Sequence, residues 1–176
     1  MTARPQSLAA GAIAAAMTAV GGSAVLLATA PALGSDASAE MMTPGGWEIV
    51  STIEELEIPG LPASMVEKMA KDPKNAQPRS ACLTPDSEQR PQPAMFHTLG
   101  GTCSYTKWQA SGGELEAELA CTPPTGAPGT AKVTLKGSYT ADSFSLASQT
   151  IGEDETGEMQ LRLISQLTGR RTGACS

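Results

Sequence analysis

Ser111-Gly112-Gly113-Glu114-Leu115-Glu116-Ala117-Glu118-Leu119-Ala120-Cys121 is the stretch whose reading decides the fold. Leu, Ala and Cys fall on every second position, with Glu114, Glu116 and Glu118 between them. That period of two marks a strand with one buried and one wet face. Gly112-Gly113 supplies the positive φ angles of a two-residue hairpin turn, so a partner strand lies just upstream. A two-residue turn sets Ala110 opposite Leu115, Trp108 opposite Ala117 and Thr106 opposite Leu119. It puts Trp108 on the buried face and Cys103 and Cys121 on opposite faces. A three-residue turn would set Cys103 opposite Cys121 and Lys107 opposite Ala117, leaving Trp108 among the glutamates. The first register is therefore expected.

Four further segments alternate in the same way: Trp47, Ile49, Ser51 and Ile53; Val133, Leu135, Gly137 and Tyr139; Phe144 and Leu146, running to about Ile151; and Met159, Leu161, Leu163, Ser165 and Leu167. With 18 Gly and 13 Pro the chain is turn-rich and unlike a helical bundle. The expected fold is mainly β: a curved antiparallel sheet or small barrel of six to seven strands with one or two short helices. Ser64 and Glu67 have the spacing of a capping box before Val66, Met69 and Ala70, with Asp72-Pro73 as the stop. Thr84-Pro85-Asp86 has the form of a second helix start. Residues 71–80 and 89–94 read as surface loops, and 122–129 as a turn-rich link.

Residues 1–39 contain Arg4, an apolar, Ala-rich run from Leu8 to Leu33, and then small residues. This is the layout of a cleavable secretory signal peptide. Ala37-Ser38-Ala39 places the cut before Glu40; the competing site, Ala32-Leu33-Gly34, cuts after residue 34, and retention as an anchor is the remaining alternative. Residues 40–176 then form one β-rich domain in the periplasm or medium, holding all four cysteines: Cys82, Cys103, Cys121 and Cys175. An even cysteine count in an exported chain points to two disulfides, and the spacing lacks the C-x-x-C pairs of a zinc site. Of the three possible pairings, the hairpin register favours Cys82–Cys103 with Cys121–Cys175.

The net charge of −6 argues against nucleic acid or an anionic membrane as main partner. A single histidine, His97, removes most His-based catalysis, and no Ser sits in a G-x-S-x-G elbow. His97 with Met95 offers a soft copper site, to which Met41, Met42, Met65 or Met69 could add, but Met more often fills cores and helix faces. Glu153-Asp154-Glu155 with Glu158 lacks calcium-loop spacing and reads as a solvated turn. Glu54, Glu55 and Glu57 read as an exposed strand end rather than an acid/base set. Arg170-Arg171 either binds an anion or pairs with the acidic surface. Trp47 and Trp108 read as core rather than a ligand platform.

Several segments resemble the bacterial domain-of-unknown-function family 3617. Pro44-Gly45-Gly46-Trp47-Glu48 is similar to its P-G-x-W-E opening, followed by Ile58-Pro59-Gly60-Leu61-Pro62 and Cys82-Leu83-Thr84-Pro85. Cys103 and Cys121 bracket a Gly hairpin. Gly137-Ser138-Tyr139-Thr140-Ala141-Asp142-Ser143-Phe144 resembles its G-x-Y-x-x-D-x-[YF] stretch, and Gly169-Arg170-Arg171-Thr172-Gly173-Ala174-Cys175 its G-[KR]-R-x-G-x-C close. The likeness covers about 43–175. It departs in a Met-poorer P-G-L-P loop and in residues 66–79, which look inserted. The resemblance implies a small exported β protein without assigned activity, hence no catalytic residues, metal or cofactor to carry over. The expected function is non-enzymatic: a ligand- or partner-binding module whose curved sheet encloses an apolar site. The alternatives are an envelope interaction or stress protein using loops 58–80 and 122–129 without a small ligand, and copper handling by Met95 and His97.

Overall fold

Trp47 and Ile49 on one segment, Leu115 and Leu119 on another, and Val133, Leu135, Phe144, Leu146 and Leu167 on three more all lie almost wholly out of solvent. The alternating segments therefore share one inner face. The computed structural model describes residues 41–97, 100–124 and 128–175. The expected signal peptide and its cleavage sites lie outside these residues.

Seven strands build a single antiparallel sheet: β1 (Gly45–Glu57), β2 (Arg79–Leu83), β3 (Thr102–Ser111), β4 (Glu114–Thr122), β5 (Thr130–Tyr139), β6 (Ser143–Glu153) and β7 (Met159–Gly173). Their order is β2-β1-β7-β6-β5-β4-β3. β3 to β7 form a meander, and β1 closes onto the far side of β7. The sheet is a half-barrel with β2 and β3 as its edges. Bulges bend it: an extra residue interrupts the β1–β7, β3–β4 and β6–β7 ladders.

Among the described residues there is one α-helix, α1 (Ala63–Ala70), with short 3-10 turns at Pro73–Ala76 and Pro93–Met95. Ser64 does not cap α1. The helix begins one residue earlier, and Pro62, in extended conformation, hands its carbonyl to the Met65 and Val66 N–H groups. Ser64 thus sits inside the first turn. No helix starts at Thr84; Asp86 instead closes a turn, accepting the Glu88 and Arg90 N–H groups (2.8 and 2.9 Å). Arg79 and Ser80, expected in a loop, open edge strand β2.

The disulfides are Cys82–Cys175 and Cys103–Cys121, not Cys82–Cys103 and Cys121–Cys175. The reason is a bulge at Thr106. From the turn to Lys107 the hairpin keeps the two-residue register, with Ala110 opposite Leu115 and Trp108 opposite Ala117. Beyond Thr106 the pairing slips by one, so Tyr105 faces Leu119 and Cys103 faces Cys121. Both registers weighed from the sequence are realised, one on each side of the extra residue.

The inner face is filled by its own side chains. Met95 and Phe96, carried by the segment between β2 and β3, press onto it, with the Phe96 ring edge-on to Phe144 at 5.6 Å. Trp47 stacks on Phe144 at 5.7 Å. Side chains such as Ile49, Leu135 and Leu146 have no accessible surface, so no water-sized void touches them. The enclosed apolar site that the sheet pattern suggested is occupied by Met95, Phe96 and their neighbours.

Candidate functional site

Between β1 and β2 the chain leaves the sheet for 21 residues, 58–78. Val66 and Ala70 turn toward Leu56 and Ile58 at the end of β1 and are half-buried. Met65 and Met69, one turn apart on α1, lie on its outer side, while Leu61, which precedes the helix, lines a groove with Leu56, Ile58, Val66 and Ala70. Leu61, Met65 and Met69 are the large hydrophobic side chains left exposed among the described residues, at 39, 49 and 44%. Lys68, Lys71, Lys74 and Arg79 outnumber Glu67 and Asp72 across residues 61–80, so this excursion is basic in an acidic chain.

Below the excursion runs a groove of about 420 Å³, lined by Ser51, Ile53 and Leu163 from the sheet and by Lys74, Asn75, Gln77 and Arg79 from the strand-ward end of the excursion. Arg79 pairs with Ile49 across β1 and β2, so its side chain leaves the sheet on the inner face. One guanidinium nitrogen, Nη2, donates to the Met95 carbonyl. Nε is shielded from solvent and has no partner among the described residues. Burial lowers the basicity of this guanidinium.

A second cleft, of about 160 Å³, opens where His97, Cys121, Pro123, Pro124, Gly152 and Leu161 meet. His97, Cys103 and Cys121 bring their ligand atoms within 4.8 Å of one another. The two sulfurs are bonded to each other, which leaves no thiolate to hold a metal. His97 donates from Nε2 to the Gly100 carbonyl in the tautomer that protonates this nitrogen. Met95 is spent on core packing, as is Met42, while Met65 and Met69 sit on the outer face of α1. Met41 is half-buried ahead of β1, so the methionines proposed for copper divide among the core, the helix surface and the approach to β1.

The acidic turn is closed on itself. Asp154 accepts hydrogen bonds from the Thr156 hydroxyl and N–H (2.7 and 2.8 Å), the Glu158 N–H (3.0 Å) and the Gln160 amide (3.0 Å). The Thr156 hydroxyl, first among these, holds the carboxyl below the usual carboxylate range. Glu54, Glu55 and Glu57 end β1 in solvent, Glu55 pairing with Arg162. Arg170 pairs with Glu48 at 2.9 Å, and Arg171 donates to the Pro44 carbonyl at 3.2 Å. Trp47 is core; Trp108 is half-buried, edge-on to Tyr105 at 5.0 Å. Sequence reasoning had missed Arg79, hidden in what read as a loop. The i, i+4 spacing of Met65 and Met69 was the signal for the exposed helix face.

The family model described as "Protein of unknown function (DUF3617)" matches residues 42–175. The chain belongs to this family. No curated protein and no solved structure matches it. Four of the DUF3617-like motifs meet at one corner of the sheet, while the motif at 58–62 lies past the opposite end of β1 and Cys103–Cys121 joins β3 to β4. Gly46 pairs with Cys82 and Gly173, Glu48 with Arg170, and Phe144 with Gly169. Each has a packing role there. Gly169 makes room for the Phe144 ring, whose Cε1 lies 2.1 Å from where a Cβ would stand. Thr140 and Ser143 close the β5–β6 turn through their side chains (2.8 Å), and Cys82–Cys175 ties the chain end to β2. The DUF3617 frame thus explains the motifs by folding, and among the described residues it assembles no nucleophile–base–acid set.

Proposed function

We propose that the protein is an exported, non-enzymatic module that docks a partner protein through the Met65–Met69 face of α1. The observation that carries this reading is the exposed apolar face itself, on a helix whose other side already rests on the sheet. Flexible Met side chains suit a surface that adapts to a partner. The basic excursion names the partner's chemistry: an apolar patch rimmed by acidic groups. Export follows from the signal-like segment 1–39 and agrees with two disulfides and no free cysteine among the described residues.

The test places a photo-crosslinking amino acid at Lys68, which flanks Met65 and Met69 on α1, and compares that protein with the same one carrying Met65→Glu/Met69→Glu or Lys71→Glu. One envelope protein should crosslink to the parent, be lost in the Met variant and be weakened in the Lys variant. All the changes are on exposed positions; the Met variant should melt as the parent does, and the Lys variant slightly lower for the lost Lys71–Glu67 pair. Crosslinking to a second copy, flotation with anionic vesicles, or capture indifferent to both variants would each overturn the reading.

A further inference from the structure

The groove under the excursion contains a cation with no counter-ion. Among the described residues the ion pairs engage Lys71, Arg90, Lys107, Lys132, Arg162 and Arg170, and leave Arg79 and Lys74 out. In a chain with 18 acidic and 12 basic side chains, the groove is lined by two cations and no carboxylate. The neighbouring Asp72 is committed to the 3-10 turn, accepting the Lys74 N–H at 2.9 Å. A half-buried guanidinium without a charged partner is costly, and so is an N–H shielded from water with nothing to bond. Arg is also the side chain whose fork matches a planar or tetrahedral oxyanion.

We infer that this groove binds a small amphiphilic oxyanion, its carboxylate or phosphate head on Arg79 and Lys74 and its aliphatic body on Ile53 and Leu163. Ser51 and Gln77 offer further donors at the rim. The Arg79 side chain already holds the Met95 carbonyl through Nη2, so the head group meets a guanidinium that is pinned on one side. The apolar floor separates this site from one for bare phosphate: Leu163 is buried, and Ile53 half-buried, at the open end of the inner face. Pinning lowers the entropy lost when the fork closes on a ligand. This site is independent of the Met65–Met69 face of α1, which lies on the outer side of the excursion.

Titration of the purified protein with octanoate, octyl phosphate, inorganic phosphate and octanol, followed by calorimetry and amide NMR, tests it. Octanoate or octyl phosphate should bind at one site, and whichever binds more tightly identifies the head group. Arg79→Gln should weaken that binding about tenfold and Lys74→Gln about twofold. Shifted amides should cluster at 51–53, 74–79 and 163. Lys74 is exposed, so Lys74→Gln keeps the test open if Arg79→Gln fails to fold. Equal affinity for octanol, binding unchanged in both variants, inorganic phosphate binding as tightly as octyl phosphate, or no saturation by either amphiphile at about 10 mM would each overturn the inference.

Discussion

Gly169 lies on β7 directly across from Phe144, and the aromatic ring fills the place of its missing side chain. A methyl group there would overlap three ring carbons, at 2.1 to 2.7 Å. Phe144 cannot simply withdraw, because Trp47 stacks on it and Phe96 meets it edge-on. Gly169→Ala should therefore cost about 1–3 kcal/mol through overpacking, read as a lower urea midpoint. Phe144→Leu made alongside it should recover part of the loss, because the shorter side chain leaves room for the methyl. Additive losses in the double variant would show that the ring is not the obstacle. At this scale the sequence is a partial guide. Trp47 could be placed in the core from its alternation with Glu48, but nothing near Arg79 in the sequence signals that its guanidinium enters the inner face. Burial of a charged side chain depends on what the distant Met95 segment places above it.

The β strands were legible where one face is wet and the other dry, as in 114–121, because burial writes a period of two. The Thr106 bulge left no such trace. Thr106 and Lys107 are both polar, so one extra residue between them changes no pattern, yet it decides which cysteines can meet. Edge strand β2 was hidden for a related reason: Arg79 and Ser80 pair with β1 on one side only, and five residues are too few to show alternation. The segment between β2 and β3, which closes the half-barrel, is fastened at its own level. Tyr105 donates to the Pro91 carbonyl at 2.8 Å, and Arg90 lies over the Tyr105 ring at 5.1 Å. Burial pushes the Tyr105 hydroxyl pKa up, more than the Arg90 charge pulls it down. A tyrosine whose folded pKa is raised lends stability that is full below its unfolded pKa of about 10 and is lost as pH rises beyond it. The urea midpoint of wild type should thus fall from pH 8 to pH 11. Tyr105→Phe should start lower by about 1 kcal/mol, for the lost hydrogen bond, and fall less over the same range. Parallel pH profiles for the two proteins would mean that Tyr105 does not hold the segment.

Across the whole molecule the two disulfides do unequal work. Cys103–Cys121 joins strands already paired by a tight hairpin, over 18 residues of chain. Cys82–Cys175 spans 93 residues and joins β2, which bonds to the sheet through β1 alone, to the segment just after β7. Loop-closure entropy in the unfolded chain gives about 3 kcal/mol for the shorter link and about 4.5 kcal/mol for the longer. The longer one also fixes the corner where Gly46, Arg170 and Phe144 meet, and it holds the end of β2 opposite to Arg79. Cys82→Ala/Cys175→Ala should accordingly be the more destabilised double variant, by about 1–2 kcal/mol relative to Cys103→Ala/Cys121→Ala in urea unfolding. Hydrogen exchange should locate the difference. Amides of β2 and of residues 170–174 should lose protection in the first variant, while the β3–β4 hairpin keeps its own through the ladder around Gly112-Gly113. If instead the hairpin variant is the weaker, the Thr106 bulge needs its disulfide to hold register, and the edge at β3, not the one at β2, is where the half-barrel opens first.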